Sequence, residues 1–188
     1  MGKDHEHRVC TYAEAERAIR SHQVIYINNC FCRTPARDGE TKYEYCGHPV
    51  ETCMSFIKIP DALFEQKEIT QAEALGIFNN WKDQHNFFRF MENEKWVCLC
   101  CTCGCQWFRD KDGNHVPDTY KPSPFIEKTD ISLCIYCGVC AEVCPNNARA
   151  VEDGVLKVLP ELCSGCSACE YVCPTSAIVM TERPKKKA

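Results

Sequence analysis

Two stretches of this chain repeat one cysteine spacing. Residues 134–144 read CIYCGVCAEVC and residues 163–173 read CSGCSACEYVC; Pro145 follows the first and Pro174 the second. Both are C-x2-C-x2-C-x3-C-P, offset by 29 residues. The same offset aligns Leu133 with Leu162, Val143 with Val172 and Ala148 with Ala177, so the repeat is an internal duplication. Three cysteines at steps of three wind a loop around one iron–sulfur cubane. The fourth lies a helical step further on and points to the other cubane. The spacing predicts that Cys134, Cys137, Cys140 and Cys173 hold one 4Fe–4S cluster, and that Cys163, Cys166, Cys169 and Cys144 hold a second. A proline after each crossing ligand fits a turn that fixes the chain direction. Zinc favours two C-x2-C pairs, so a pair of zinc sites is the weaker reading.

Eighteen cysteines in 188 residues leave two classes, secreted disulfide scaffolds and metal-cluster proteins. The start, MGKDHEHRVC, is charged and lacks the apolar region of a secretory signal. No apolar run approaches the length of a membrane span. A reducing, cytoplasmic setting is therefore expected, with thiols available to metal. A net charge of −4 does not suggest a nucleic-acid partner. Much of the apolar fraction is cysteine, so a large apolar core is not expected and folding is expected to lean on bound metal.

The predicted fold class is α+β, with a two-cluster unit over residues 125–181 behind an irregular cysteine-rich region, residues 1–120. "AVEDGVLKV", residues 150–158, places Asp153-Gly154 between two strand-like runs and predicts a hairpin. With its eight cysteines and two prolines, the C-terminal part resembles the bacterial two-cluster ferredoxin, which implies a pseudo-two-fold α+β unit. "KPSPF", residues 121–125, reads as a linker into it, and residues 182–188 as a solvated basic tail.

In the N-terminal two-thirds, Thr11 and Glu14 form the pattern of a capping box opening a helix to Ser21 or His22, and Thr70 and Glu73 open another to about Lys82. "VIYI", residues 24–27, predicts a strand. "FFRF" and "KWVCLC" predict a hairpin that delivers "VCLCCTCGC", residues 97–105, where five of nine residues are cysteine. The candidate metal ligands here are Cys30, Cys32, Cys46, Cys53, Cys98, Cys100, Cys101, Cys103 and Cys105. They predict one further 4Fe–4S cluster, its ligands shared between the dense run and the Cys30/Cys32 or Cys46/Cys53 loops; a second site, cluster or zinc, stays open. Extended-strand alternation sets Cys101, Cys103 and Cys105 against Cys98 and Cys100. His48 reads as a surface histidine before a zinc ligand, and Cys10 as a free thiol. Arg33 is either a solvated arginine or a donor to cluster sulfur. Trp81, Trp96 and Trp107 read as core or interface residues.

No phosphate-binding glycine loop, dinucleotide fingerprint or haem-attachment motif is present. The order "NNCFCR", then "CGHPVETCMSF", a helix with Glu-Ala-Leu, "CLCCTCGC" and a two-cluster unit resembles multi-cluster ferredoxin-like proteins of anaerobic microbes. It is also similar to the small iron–sulfur subunit of tungsten-containing class II benzoyl-CoA reductases. It departs from that group at Gly76-Ile77-Phe78-Asn79, where a Gly-Leu-Val-His stretch is usual, and at Cys103-Gly104-Cys105. The resemblance implies a non-catalytic electron-transfer subunit, a catalytic oxidoreductase partner of tungstopterin type, and a ferredoxin-like or flavin electron partner. Two other readings are a redox or metal sensor using the N-terminal cysteines, and a stand-alone reductase with the dense run as its active site.

Overall fold

The computed structural model describes residues 7–34, 47–59, 66–106, 108 and 120–184. Six strands pair into one sheet: β1 (His7–Cys10), β2 (Ile25–Asn29), β3 (Glu51–Ser55), β4 (Gln66–Ile69), β5 (Phe87–Met91) and β6 (Trp96–Cys100). Their order is β1-β5-β6-β3-β2-β4, and every pairing is antiparallel. Helices α1 (Tyr12–Ser21) and α2 (Gln71–Asp83) pack on each other, α1 against β5 and α2 against β2. Both begin where the sequence predicts. Thr11 accepts from the Glu14 amide while Glu14 accepts from the Thr11 amide, and Thr70 and Glu73 do the same. Such a box satisfies two of the amides a helix start leaves unpaired.

Register sorts the side chains between the faces of the sheet. Phe88 lies opposite Leu99 and Phe90 opposite Val97, while Arg89 lies opposite Cys98 and Phe87 opposite Cys100. Met54 joins the first set through its pairing with Val97. Side chains alternate along a strand, so the aliphatic and aromatic set faces the helices and the thiols face away. The apolar core is larger than composition suggested. Ile19, Ile25, Met54, Phe78, Phe88, Val97 and Leu99 are all 0% exposed. Helix periodicity on α1 and α2 and the strand pairs supply these residues, and buried cysteines pack against them in the same core.

The C-terminal part holds β7 (Phe125–Thr129), α3 (Val139–Glu142), β8 (Arg149–Glu152), β9 (Val155–Val158), α4 (Ala168–Val172) and β10 (Ile178–Glu182). β7 pairs with β10 and β8 with β9, both antiparallel. The predicted hairpin turns at Asp153 and Gly154, both with positive φ. The duplication seen in sequence extends to the backbone. Positive φ recurs at Tyr136 and Gly165, at Gly138 and Ser167, and at Asn147 and Ser176, each pair 29 positions apart.

Residues 121–125 are not a free linker. Lys121 exchanges backbone hydrogen bonds with β1, at 2.9 Å from Val9 N and 2.8 Å to His7 O. Ser123 is buried, and its backbone amide donates to Ser164 O. Arg183 is not part of a solvated tail either. Its guanidinium donates to the carbonyls of Ser123, Phe125 and Cys163. Residues 185–187 of the basic tail lie outside the described residues.

Phe88 packs edge-on to Tyr12, centroids 5.4 Å apart, and against Phe78 at 4.9 Å. Phe88→Ala is expected to destabilise the fold by about 3–5 kcal/mol, as aromatic truncations in a close-packed core do. Chemical denaturation of the two proteins checks this; a loss under about 1 kcal/mol would show that the site repacks.

Candidate metal centres

The C-terminal cysteines converge in two sets of four. Cys134, Cys137, Cys140 and Cys173 line one pocket with Tyr136, Gly138 and Ala177. Cys144, Cys163, Cys166 and Cys169 line another with Gly165, Ser167, Ala148 and Ala168. These are the two groupings that the crossed spacing predicts. The lining residues are small where the backbone must curl closely. At Gly165, φ is +75° and a Cβ would come 2.2 Å from Phe125 O, so only glycine fits.

Backbone amides reach both crossing sulfurs: Ala148 N donates to Cys144 Sγ and Ala177 N to Cys173 Sγ, each at 3.3 Å. Burial pushes both thiols up. At Cys144 burial wins, whereas at Cys173 donors from Thr175, Ala177 and Ile178 hold the thiol below its usual value. Arg149 lines both cavities. Its side chain is 1% exposed, paired with Glu127 at 2.5 Å, and donates to Thr129 Oγ1 at 2.8 Å and to Cys140. Burial works against this cation, and its hydrogen bonds and the neighbouring thiols and Glu127 more than offset that. Four thiols per cavity, amides aimed at sulfur and a buried cation between the cavities suit anionic iron–sulfur clusters.

In the N-terminal part, six thiols interact as successive neighbours: Cys98, Cys53, Cys30, Cys32, Cys105, Cys100. They come from three segments. β3 supplies Cys53, β6 supplies Cys98 and Cys100, and the turn after β2 supplies Cys30 and Cys32. Cys105 reaches the set because the chain turns over Thr102–Gly104, with Cys105 N donating to Cys101 O at 3.3 Å. This corrects the strand-alternation reading: Cys105 sides with Cys98 and Cys100, not with Cys101 and Cys103. Alternation holds only while the strand lasts, and β6 ends at Cys100. Cys46 and Trp107 lie outside the described residues. Cys10 is buried at the end of β1, and burial holds its thiol protonated.

Two buried arginines serve these thiols. Arg89 Nε donates to Cys100 Sγ at 3.3 Å. Arg33, 7% exposed, donates to Pro49 O and Leu99 O and reaches Cys101 Sγ at 3.5 Å. Thr52 also accepts from it, and it lies over the Trp81 ring. Arg33 is thus a held donor rather than a solvated arginine. Sequence reasoning missed Arg89, whose only sequence signal is its inward position opposite a cysteine in the hairpin.

Cys101 and Cys103 stand apart from the six. With His48 they bring three ligand atoms within 4.8 Å of one another. His48 is half-buried against Trp81, so it is not the plain surface histidine that the sequence suggests.

Within the six-thiol set, the neighbouring thiols of Cys105 and Cys30 hold the Cys32 thiol well below its usual range. Cys105 and Arg89 together outweigh burial and bring Cys100 down too. Cys53 and Cys105 are pushed up. In the cluster-free chain Cys32 is therefore a thiolate throughout the neutral range. Its alkylation rate is expected to stay flat between about pH 6 and 8, where an ordinary cysteine rises by about two orders of magnitude. Peptide mapping after timed labelling checks this, and a steep rise at Cys32 counts against the assigned neighbours. Residues 133–177 match the family of the 4Fe-4S dicluster domain. No curated protein and no solved structure matches the chain. Among the described residues no helix is long and apolar enough to cross a membrane. With its two four-cysteine pockets, the matched segment is a ferredoxin-like iron–sulfur unit, which supports an electron-transfer role.

Proposed function

We propose that the chain relays single electrons between a donor and a catalytic oxidoreductase partner, using three 4Fe–4S sites. Two are the C-terminal cavities, with Cys134, Cys137, Cys140 and Cys173 as one ligand set and Cys144, Cys163, Cys166 and Cys169 as the other. The third takes four of Cys30, Cys32, Cys53, Cys98, Cys100 and Cys105. Bound cubane clusters supply one-electron oxidation and reduction with little reorganisation. Residues 1–120 and 125–181 act as the two functional units.

One observation carries this reading. The buried core is continuous from the N-terminal thiols to the second cavity, with Cys30, Cys53, Cys98, Cys100, Cys105, Cys166 and Ala168 in one packed cluster. Tyr120, between the thiols of Cys105 and Cys166, is pushed up to about 12 by burial and by both. The Tyr12 amide donates to Ser167 Oγ at 2.8 Å, beside Cys166. The residues therefore order the sites: N-terminal set, then the Cys163–Cys169 cavity, then the Cys134–Cys140 cavity. At that last cavity, Ile131, Leu133, Ile135 and Tyr136 are 52%, 50%, 62% and 39% exposed, an apolar rim on which a redox partner seats. A tungstopterin subunit of class II benzoyl-CoA reductase type is the partner that the order of cysteine segments favours, and a ferredoxin-like or flavin protein the donor.

Anaerobically purified protein is expected to carry about twelve irons, three cubanes of four. Cys32→Ser is expected to remove about four of them and leave the spectrum of the C-terminal pair intact. About eight irons in the parent chain, or no iron loss in the variant, would sink the three-site relay. Arg149→Met removes a buried positive charge that favours the reduced state, so the midpoint potentials of the C-terminal clusters are expected to become more negative. Redox titration followed by electron paramagnetic resonance measures this, and unchanged potentials would remove Arg149 from the tuning role.

A further inference from the structure

Cys101 and Cys103, outside the six-membered set, sit with a histidine at the sheet end. Cys98 and Cys100 face away from the helices, and Cys101, the next residue, emerges toward α2. Trp81 of that helix donates from Nε1 to Cys100 O at 3.1 Å and packs edge-on to His48, centroids 5.2 Å apart. His48 Nδ1 lies 3.5 Å from Cys103 Sγ. Cys101 is 0% exposed, His48 half-buried and Cys103 exposed, so the group opens to solvent on one side.

We infer that His48, Cys101 and Cys103 contribute ligands to a mononuclear site for a zinc-class divalent cation, separate from the iron–sulfur sites. A mixed set of imidazole and thiolate suits a single borderline-soft ion. Zn–S and Zn–N bonds of about 2.3 and 2.0 Å at a tetrahedral angle put sulfur and nitrogen about 3.5 Å apart. The His48–Cys103 separation already matches that edge. Two thiolates neutralise a divalent ion, so the burial of Cys101 is compatible with a loaded site.

The surroundings fit the same ion. Asn86 Nδ2 lies 3.5 Å from His48 Nε2. With Nδ1 on the metal, Nε2 carries the proton, and a half-turn of the Asn86 amide presents its oxygen as acceptor. Metal-bound histidines are commonly held by such an outer partner. Arg33 Nη1 lies 3.5 Å from Cys101 Sγ, a cation beside a candidate ligand sulfur. It also faces Cys30 and Cys53 electrostatically, so one guanidinium stands between the two metal-binding faces.

The test uses the full chain, purified anaerobically, with zinc and iron measured on the same sample. About one zinc per chain is expected, besides the iron. Cys103→Ser and His48→Gln are each expected to cut zinc at least about tenfold and leave iron unchanged; Cys103 is exposed in a turn, so its variant does not burden the core. X-ray absorption at the zinc edge is expected to show sulfur neighbours at about 2.3 Å together with imidazole nitrogen. Three outcomes overturn the site: no zinc even after incubation with zinc, which leaves a thiol–imidazole hydrogen bond; zinc unchanged in both variants, which puts it elsewhere; or iron lost in step with zinc, which makes these residues cluster ligands. The iron total of the parent chain separately tests the relay, so the two readings fail independently.

Discussion

The pairing of β5 with β6 is the constraint on which the rest of the structure depends. A single register places Phe88 against Leu99 and Phe90 against Val97 on one face, and Arg89 against Cys98 on the other. A slip of one residue would turn thiols into the aromatic core and phenylalanines toward the metal ligands. The core that the helices form with this hairpin is thus also the device that aims the cysteines. It lets the N-terminal part bring cysteines from distant segments together, where the C-terminal part uses a tight local winding instead.

Buried arginines connect the metal centres. Arg33, Arg89 and Arg149 are all buried, and each contacts a cysteine: Cys101, Cys100 and Cys140. Burial of an isolated cation is strongly unfavourable, and it persists only where negative charge or hydrogen-bond acceptors surround it. At each position the neighbouring groups outweigh burial and keep the guanidinium charged. A chain that buries three cations against sulfur is built for anionic sulfur. Removing the arginines would leave thiolates to repel one another in a medium of low polarity.

The two parts meet through Tyr12, Ser123, Ser167 and Tyr120 rather than through a flexible connector. The capping glutamate of α1 illustrates the economy of the seam: Glu14 closes the first turn and also accepts from Ser123 Oγ at 3.3 Å. A helix cap, a linker residue and the loop of the second cavity are thereby tied together. The contacts of Tyr12 with Ser167 and of Glu14 with Ser123 are buried, and Tyr171 adds an exposed hydrogen bond to Asp83 at 2.6 Å.

The local features were legible in the sequence because their causes are local. Two capping boxes, a hairpin at Asp153-Gly154, a second around residues 92–95 and the crossed cysteine spacing all rest on residues within a turn or a loop of one another. The α+β class followed from them. The 29-residue repeat likewise determined which cysteines share a cavity, since spacing and handedness leave one winding. Tertiary structure alone decided the rest. Whether Cys105 joins Cys100 or Cys103 depends on a chain reversal that no period-two pattern encodes. The burial of Arg89, the place of Tyr120 between two thiol sets, and the approach of His48 to Cys101 and Cys103 depend on segments far apart in the chain. Their positions are fixed only once the sheet order brings β3 between β2 and β6.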